Sequence, residues 1–85
     1  MAKLYRIFTE HKDNLITLGM QYFPNGFTVI QAKGVWNGLS ADTTIIEVQT
    51  IDEIAGIALA NAIKVVNNQK VVLVQVIPVE NVYWV

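Results

Sequence analysis

Trp36 stands between two glycines in Gly34-Val35-Trp36-Asn37-Gly38, and Asp42, Thr43 and Thr44 follow within a few residues. An indole offers a flat apolar surface and glycine lets a backbone approach closely, so residues 34–38 would hold a planar group. The hydroxyls of Thr43 and Thr44, with the loop amides, would hold anionic oxygens, and Lys70, beside Gln69, would add a cation for a phosphate. Asp42 and Glu47 are the nearby carboxylates that would serve as acid or base if the chemistry were catalytic. The same segment has a plainer reading as a bent strand end closed by an Asn-Gly turn.

Composition removes several other classes of site. The chain has 85 residues, enough for one domain, and 53% of them are hydrophobic. With no cysteine, disulfides and thiolate metal sites are excluded, and His11, the single histidine, cannot form a multi-histidine site. A carboxylate-only Mg²⁺ site stays open but has no support in the residue pattern, and no metal or other cofactor is expected. Six basic side chains against seven acidic ones, without a basic cluster, argue against a nucleic-acid groove. Charges recur from Lys3 to Asp13, leaving no room for a signal-peptide core, and no apolar run reaches bilayer length. A cytoplasmic protein without a membrane partner is expected.

The elements that must position these residues follow from periodicity and punctuation. Residues 3–9 alternate as a first strand, Asp13 or Asn14 caps a short helix ending near Phe23, and Pro24-Asn25-Gly26 breaks it. Residues 27–36 and 43–49 form the next two strands, joined by a polar loop. Thr50-Ile51-Asp52-Glu53 reads as a capping box before a second helix over 51–66, with Asn67-Asn68 as its stop. Residues 70–77 form the last strand, ended by Pro78, and 78–85 a tail. The order βαββαβ over residues 1–85 predicts a single α+β domain of ferredoxin-like type, an antiparallel four-stranded sheet with both helices on one face.

Two elements point beyond a single chain. Residues 71–77 hold one polar side chain, Gln75, where a strand with one wet face should alternate. The second helix is apolar almost all round, with Gly56 and Ala60 small enough for close packing. Burial of both is expected through a homo-oligomer formed on the free sheet face. Strand parity gathers Arg6, Gln31 or Lys33, Glu47 and Gln75 on that face, with Arg6 and Glu47 able to pair across adjacent strands. The loop from Glu10 to Asp13 reads as solvated surface. The tail ends in adjacent aromatics, Tyr83 and Trp84, which should not be left in water and would close over a neighbour's cleft.

Phe27-Thr28-Val29-Ile30, Gly34-Val35-Trp36-Asn37-Gly38, Ile45-Ile46-Glu47-Val48 and Asn67-Asn68-Gln69 before Val71-Val72-Leu73-Val74 together resemble the small phage proteins related to the S-adenosylmethionine lyases. The resemblance runs from about residue 4 to 76. It implies PII-like subunits assembled as trimers, with nucleotide-like ligands in clefts between neighbours, in the host cytoplasm if a phage encodes the chain. Those lyases carry a glutamate after the aromatic-glycine loop and another after Asn-Asn-Gln, both implicated in the active site. This chain has Ala41 and Lys70 there. Alanine cannot take a proton, and lysine reverses the charge that a sulfonium substrate would meet. Asp42, one residue away, would face the other side of a strand.

The resulting expectation is an oligomeric protein that binds, and sequesters, a nucleotide-like ligand or nucleotide defence signal. The site would combine Gly34, Trp36, Asn37, Gly38, Asp42, Thr43, Thr44, Gln69 and Lys70. The alternatives are a lyase acting on S-adenosylmethionine or a nucleotide conjugate of it through Asp42 or Glu47, and a structural homo-oligomer without a small ligand.

Overall fold

In β1 (Lys3–Glu10) every second side chain, Tyr5, Ile7 and Thr9, is buried and those between are half-buried, the signature of a central strand with one covered face. The computed structural model describes residues 2–85. After β1 come α1 (Leu15–Tyr22), β2 (Thr28–Trp36), β3 (Leu39–Thr50), α2 (Glu53–Val66) and β4 (Leu73–Pro78). The strands form one antiparallel sheet in the order β2-β3-β1-β4. This is the ferredoxin-like βαββαβ arrangement that periodicity predicts.

The core lies between the sheet and its two helices, where Ile7 and Ile46 meet Leu15 and Leu18 of α1 and Leu59, Ala60 and Ile63 of α2. Gly56 sets how closely α2 can approach, because a Cβ there would lie 2.9 Å from the Tyr5 ring. The start of α2 differs from the expected capping box. Thr50 stays in β3 opposite Lys3, and Asp52 takes the cap, accepting a 2.9 Å hydrogen bond from the Ala55 amide. At the other end, Asn68 adopts a left-handed conformation (φ 53°). The Gln69 and Asn68 amides donate to the carbonyls of Lys64 and Val65, so the helix closes in a Schellman motif. Residues 70–72 belong to this connection, and β4 begins three residues later than expected, at Leu73.

The face opposite the helices has no second layer in this chain. Leu4, Arg6 and Phe8 share it with Ile45, Glu47, Leu73, Gln75 and Ile77 by register. Leu73 and Ile77 are 45% and 38% exposed, so the chain's own elements leave uncovered the strand whose composition asks for burial on both sides. The outer side of α2 is equally bare, with Ile54 84% exposed. No helix among the described residues is long and apolar enough to cross a membrane.

Parity on β2 corrects one expectation. Gln31 pairs with Thr44 and Lys33 with Asp42, which places both on the helix side rather than with Arg6, Glu47 and Gln75. Both are nonetheless solvent-exposed, because β2 and β3 run on past the helices and end in water on both faces.

Candidate functional site

Asn37 and Gly38 form the whole turn between β2 and β3. Their φ angles, 52° and 78°, are the pair of left-handed conformations that a two-residue hairpin of right-twisted strands requires. A polar loop is therefore unnecessary, and Leu39 to Asp42 join β3, with Ala41 opposite Gly34 and Asp42 opposite Lys33. Trp36, 64% exposed, folds its indole back along its own strand. A Cβ on Gly34 would come within 2.9 Å of the Trp36 Nε1 and 2.6 Å of the Thr43 Oγ1. The space that glycine leaves is thus taken by Trp36 and Thr43, which form a flat, partly apolar platform on the open face of the hairpin.

Alternation divides the remaining candidates between the two faces. Gly34, Trp36, Thr43 and Glu47 share the open face, whereas Asp42 and Thr44 turn to the other. Glu47 accepts a 2.7 Å hydrogen bond from the Arg6 Nε, and the Arg6 guanidinium lies 5.2 Å from the Phe8 ring centre. The cross-strand pair expected from sequence is present, and it occupies one carboxylate oxygen of the candidate acid. Asp42 accepts from the Lys33 Nζ at 2.6 Å. That hydrogen bond, with the lysine charge behind it, holds the Asp42 carboxyl below the usual carboxylate range, which makes it a poor proton acceptor near neutrality.

The helix side of the hairpin base carries a polar cluster that sequence reasoning missed. Thr44, only 1% exposed, has its Oγ1 3.0 Å from the His11 Nδ1 and 3.3 Å from the Gln31 Oε1. The His11 amide donates to the Asp42 carbonyl at 3.2 Å, so the loop expected to be plain solvated surface is fastened to β3. Beside it the Gln69 Nε2 donates to the Thr9 Oγ1 at 2.6 Å, placed there by the Schellman turn of α2. The sequence did carry a signal, since Thr9 and Thr44 continue the buried parity of Ile7 and Ile46. The associated hollow, between residues 11–16 and Val29, Gln31 and Thr44, measures about 180 Å³, small for a nucleotide.

The candidates therefore do not form one pocket within a chain. Gln69 serves the cluster under the sheet end, while Lys70, next to it, is exposed ahead of β4. Trp36, with Gly34, Asn37 and Gly38, ends β2 at the other edge. Lys70 thus lies outside the sheet, in the connection that leads to β4 at one edge, and Trp36 closes β2 at the other edge.

No protein-family model and no curated protein matches this sequence. Solved structures do match in fold. A DUF3240 family protein from Shewanella baltica superposes with a TM-score of 0.76 at 15% identity, covering 99% of this chain and 96% of that one. The divalent cation tolerance protein CutA1 from Thermus thermophilus gives 0.66 at 13% identity, with coverages of 98% and 88%. CPII, a nitrogen regulatory PII-like protein from Thiomonas intermedia bound to ADP, AMP and bicarbonate, gives 0.63 at 21% identity and 96% of both chains. At these identities the likeness is one of fold, the ferredoxin-like arrangement that this chain shares with the CutA and PII-like structures.

Proposed function

We propose that this chain assembles into a closed ring, most simply a trimer, and captures a nucleotide-like ligand in clefts shared by neighbouring copies without turning it over. The observation that carries the proposal is the placement of the two ligand-competent groups, Trp36 exposed at one edge of the sheet and Lys70 exposed ahead of the strand at the other, on a sheet whose open face is largely apolar. Within one chain the two belong to the ends of different strands, Trp36 closing β2 and Lys70 preceding β4. Two neighbours in a ring can bring both to one ligand, and a ring also covers Leu73, Ile77 and the open face. The ligand class is taken from the chemistry of the two groups, an indole platform for a base and an ammonium for phosphate. The fold shared with a nucleotide-bound PII-like protein is consistent with it.

Binding without turnover is favoured over the lyase reading by the state of the acids. Ala41 has no ionisable group, Asp42 is tied to Lys33 on the other face, and Glu47 is tied to Arg6. In the phage setting that the sequence resemblance implies, capture alone would sequester a nucleotide signal.

Calorimetry with ADP and AMP as probes tests this reading. Lys70→Ala removes a charge-assisted hydrogen bond worth roughly 1.5–3 kcal/mol, a ten- to hundredfold loss of affinity. Trp36→Ala costs roughly 1–3 kcal/mol of stacking. Refolding the two variants together restores part of the binding, because a mixed ring contains boundaries with both native groups. Unchanged affinity in both variants would contradict a shared cleft, and release of methylthioadenosine from S-adenosylmethionine would favour the lyase.

A further inference from the structure

β3 outruns β2 at the end of the sheet away from the hairpin. The last β2–β3 pair is Thr28 with Glu47, so Val48, Gln49 and Thr50 have β1 on one side and no strand on the other. Along such an edge alternate residues turn their N–H and C=O groups outward. The connection from α1 to β2 swings away there and leaves a cleft of about 660 Å³ walled by Leu4, Tyr22, Phe23 and Phe27. A short, open strand edge beside an apolar cleft is a template for one more strand.

The segment 79–85 has the composition of such a strand and no seat of its own. Val82, Tyr83, Trp84 and Val85 are β-branched or aromatic, and Trp84 is 93% exposed although it stands on the rim of this cleft. The segment's one backbone hydrogen bond among the described residues is from the Val79 amide to the Ala2 carbonyl.

Reach decides whose cleft the segment enters. From β4 to the vacant position beside β3 is three inter-strand spacings, about 14 Å. Residues 79–82, fully extended, span about 13–14 Å, which leaves no slack for the turn needed to run along β3. A chain's own segment therefore brings Trp84 to the rim and stops.

We infer that residues 82–85 of each copy dock as a short strand on the Val48–Thr50 edge of the next copy, with Trp84 filling the aromatic cleft. Each copy donates one segment and receives one, a head-to-tail contact that closes into a ring when the rotation between copies returns to the first. The inference rests on the oligomer proposed above and is independent of its ligand.

The chain has no cysteine, so engineered pairs report on this contact without background. Full-length chains carry Gln49→Cys with Val82→Cys, Tyr83→Cys or Val85→Cys in turn, which covers a change of register, and are oxidised under native conditions. The expected result is a dimer and trimer ladder on non-reducing electrophoresis for at least one pair. Trp84→Ala, in an otherwise native chain, should raise the dissociation midpoint of the oligomer at least about tenfold, as loss of a buried aromatic anchor does. Light scattering on the native chain separates the possible failures. An oligomer whose disulfide forms only within one chain, or in none of the three pairs, overturns the exchange and leaves the ring standing. A monomeric native chain overturns both.

Discussion

Asp42 shows how one neighbour can decide what a carboxylate is able to do. Its bond to Lys33 holds the carboxyl below its ordinary value, with His11 adding a smaller push in the same direction. Lys33→Met should therefore raise the Asp42 pKa towards the ordinary value of about 3.9, as followed by NMR titration of its side-chain carboxyl. Because the folded pKa is the lower one, the pair's contribution to stability is present above the unfolded value and is lost as pH falls through the folded value. Both side chains are well exposed, so the effect on stability should be slight while the titration shift remains clear. An unmoved pKa in Lys33→Met would mean that the pair does not persist in solution. Parity in the sequence did foretell the Arg6–Glu47 pair, because both residues sit mid-strand among apolar neighbours that fix which way each must face. Parity does not place Gln31 and Lys33, because a polar residue marks the wet face only where the other face is dry, and at the hairpin end both faces are wet.

At the level of elements, the order of strands and helices was legible because each period is strong: Tyr5-Ile7-Thr9 in β1 and Leu59-Ala60-Ile63 in α2. The boundaries that shifted did so where two chemically valid signals competed. Thr50 and Asp52 both make good caps, and Asp52 took the role because Thr50 already had a ladder partner in Lys3. Asn37-Gly38 reads as a turn from sequence, but the polar residues after it read as loop, whereas two left-handed residues alone close the hairpin and bring Leu39 to Asp42 into β3. The contact of α2 with β1 provides a direct test of the packing. In Gly56→Ala the new Cβ would lie 2.9–3.2 Å from three Tyr5 ring atoms. The gain in helix propensity, up to about 1 kcal/mol, opposes a strain of typically 1–3 kcal/mol for overpacking a buried ring. Urea denaturation should show net destabilisation, and a more stable variant would mean that α2 can back away from the sheet at no cost.

The whole molecule carries its clearest message in what its single chain leaves bare: β4, the outer side of α2, the open sheet face, and the aromatic residues Trp36, Tyr83 and Trp84. Residue types foretold this excess, because residues 71–77 contain one polar side chain. The way candidate groups would be divided between copies was harder to read, since it depends on which edge of the sheet each residue reaches. The account's central claim is that several copies share their ligand sites. Native mass spectrometry of the protein taken from a cell extract tests it most directly, since it weighs the assembly and any bound small molecule together. The predicted result is a trimer carrying up to three nucleotide-sized ligands, which are lost together with the subunit contacts as the complex is dissociated. A bare single chain at micromolar concentration that still unfolds cooperatively would contradict it.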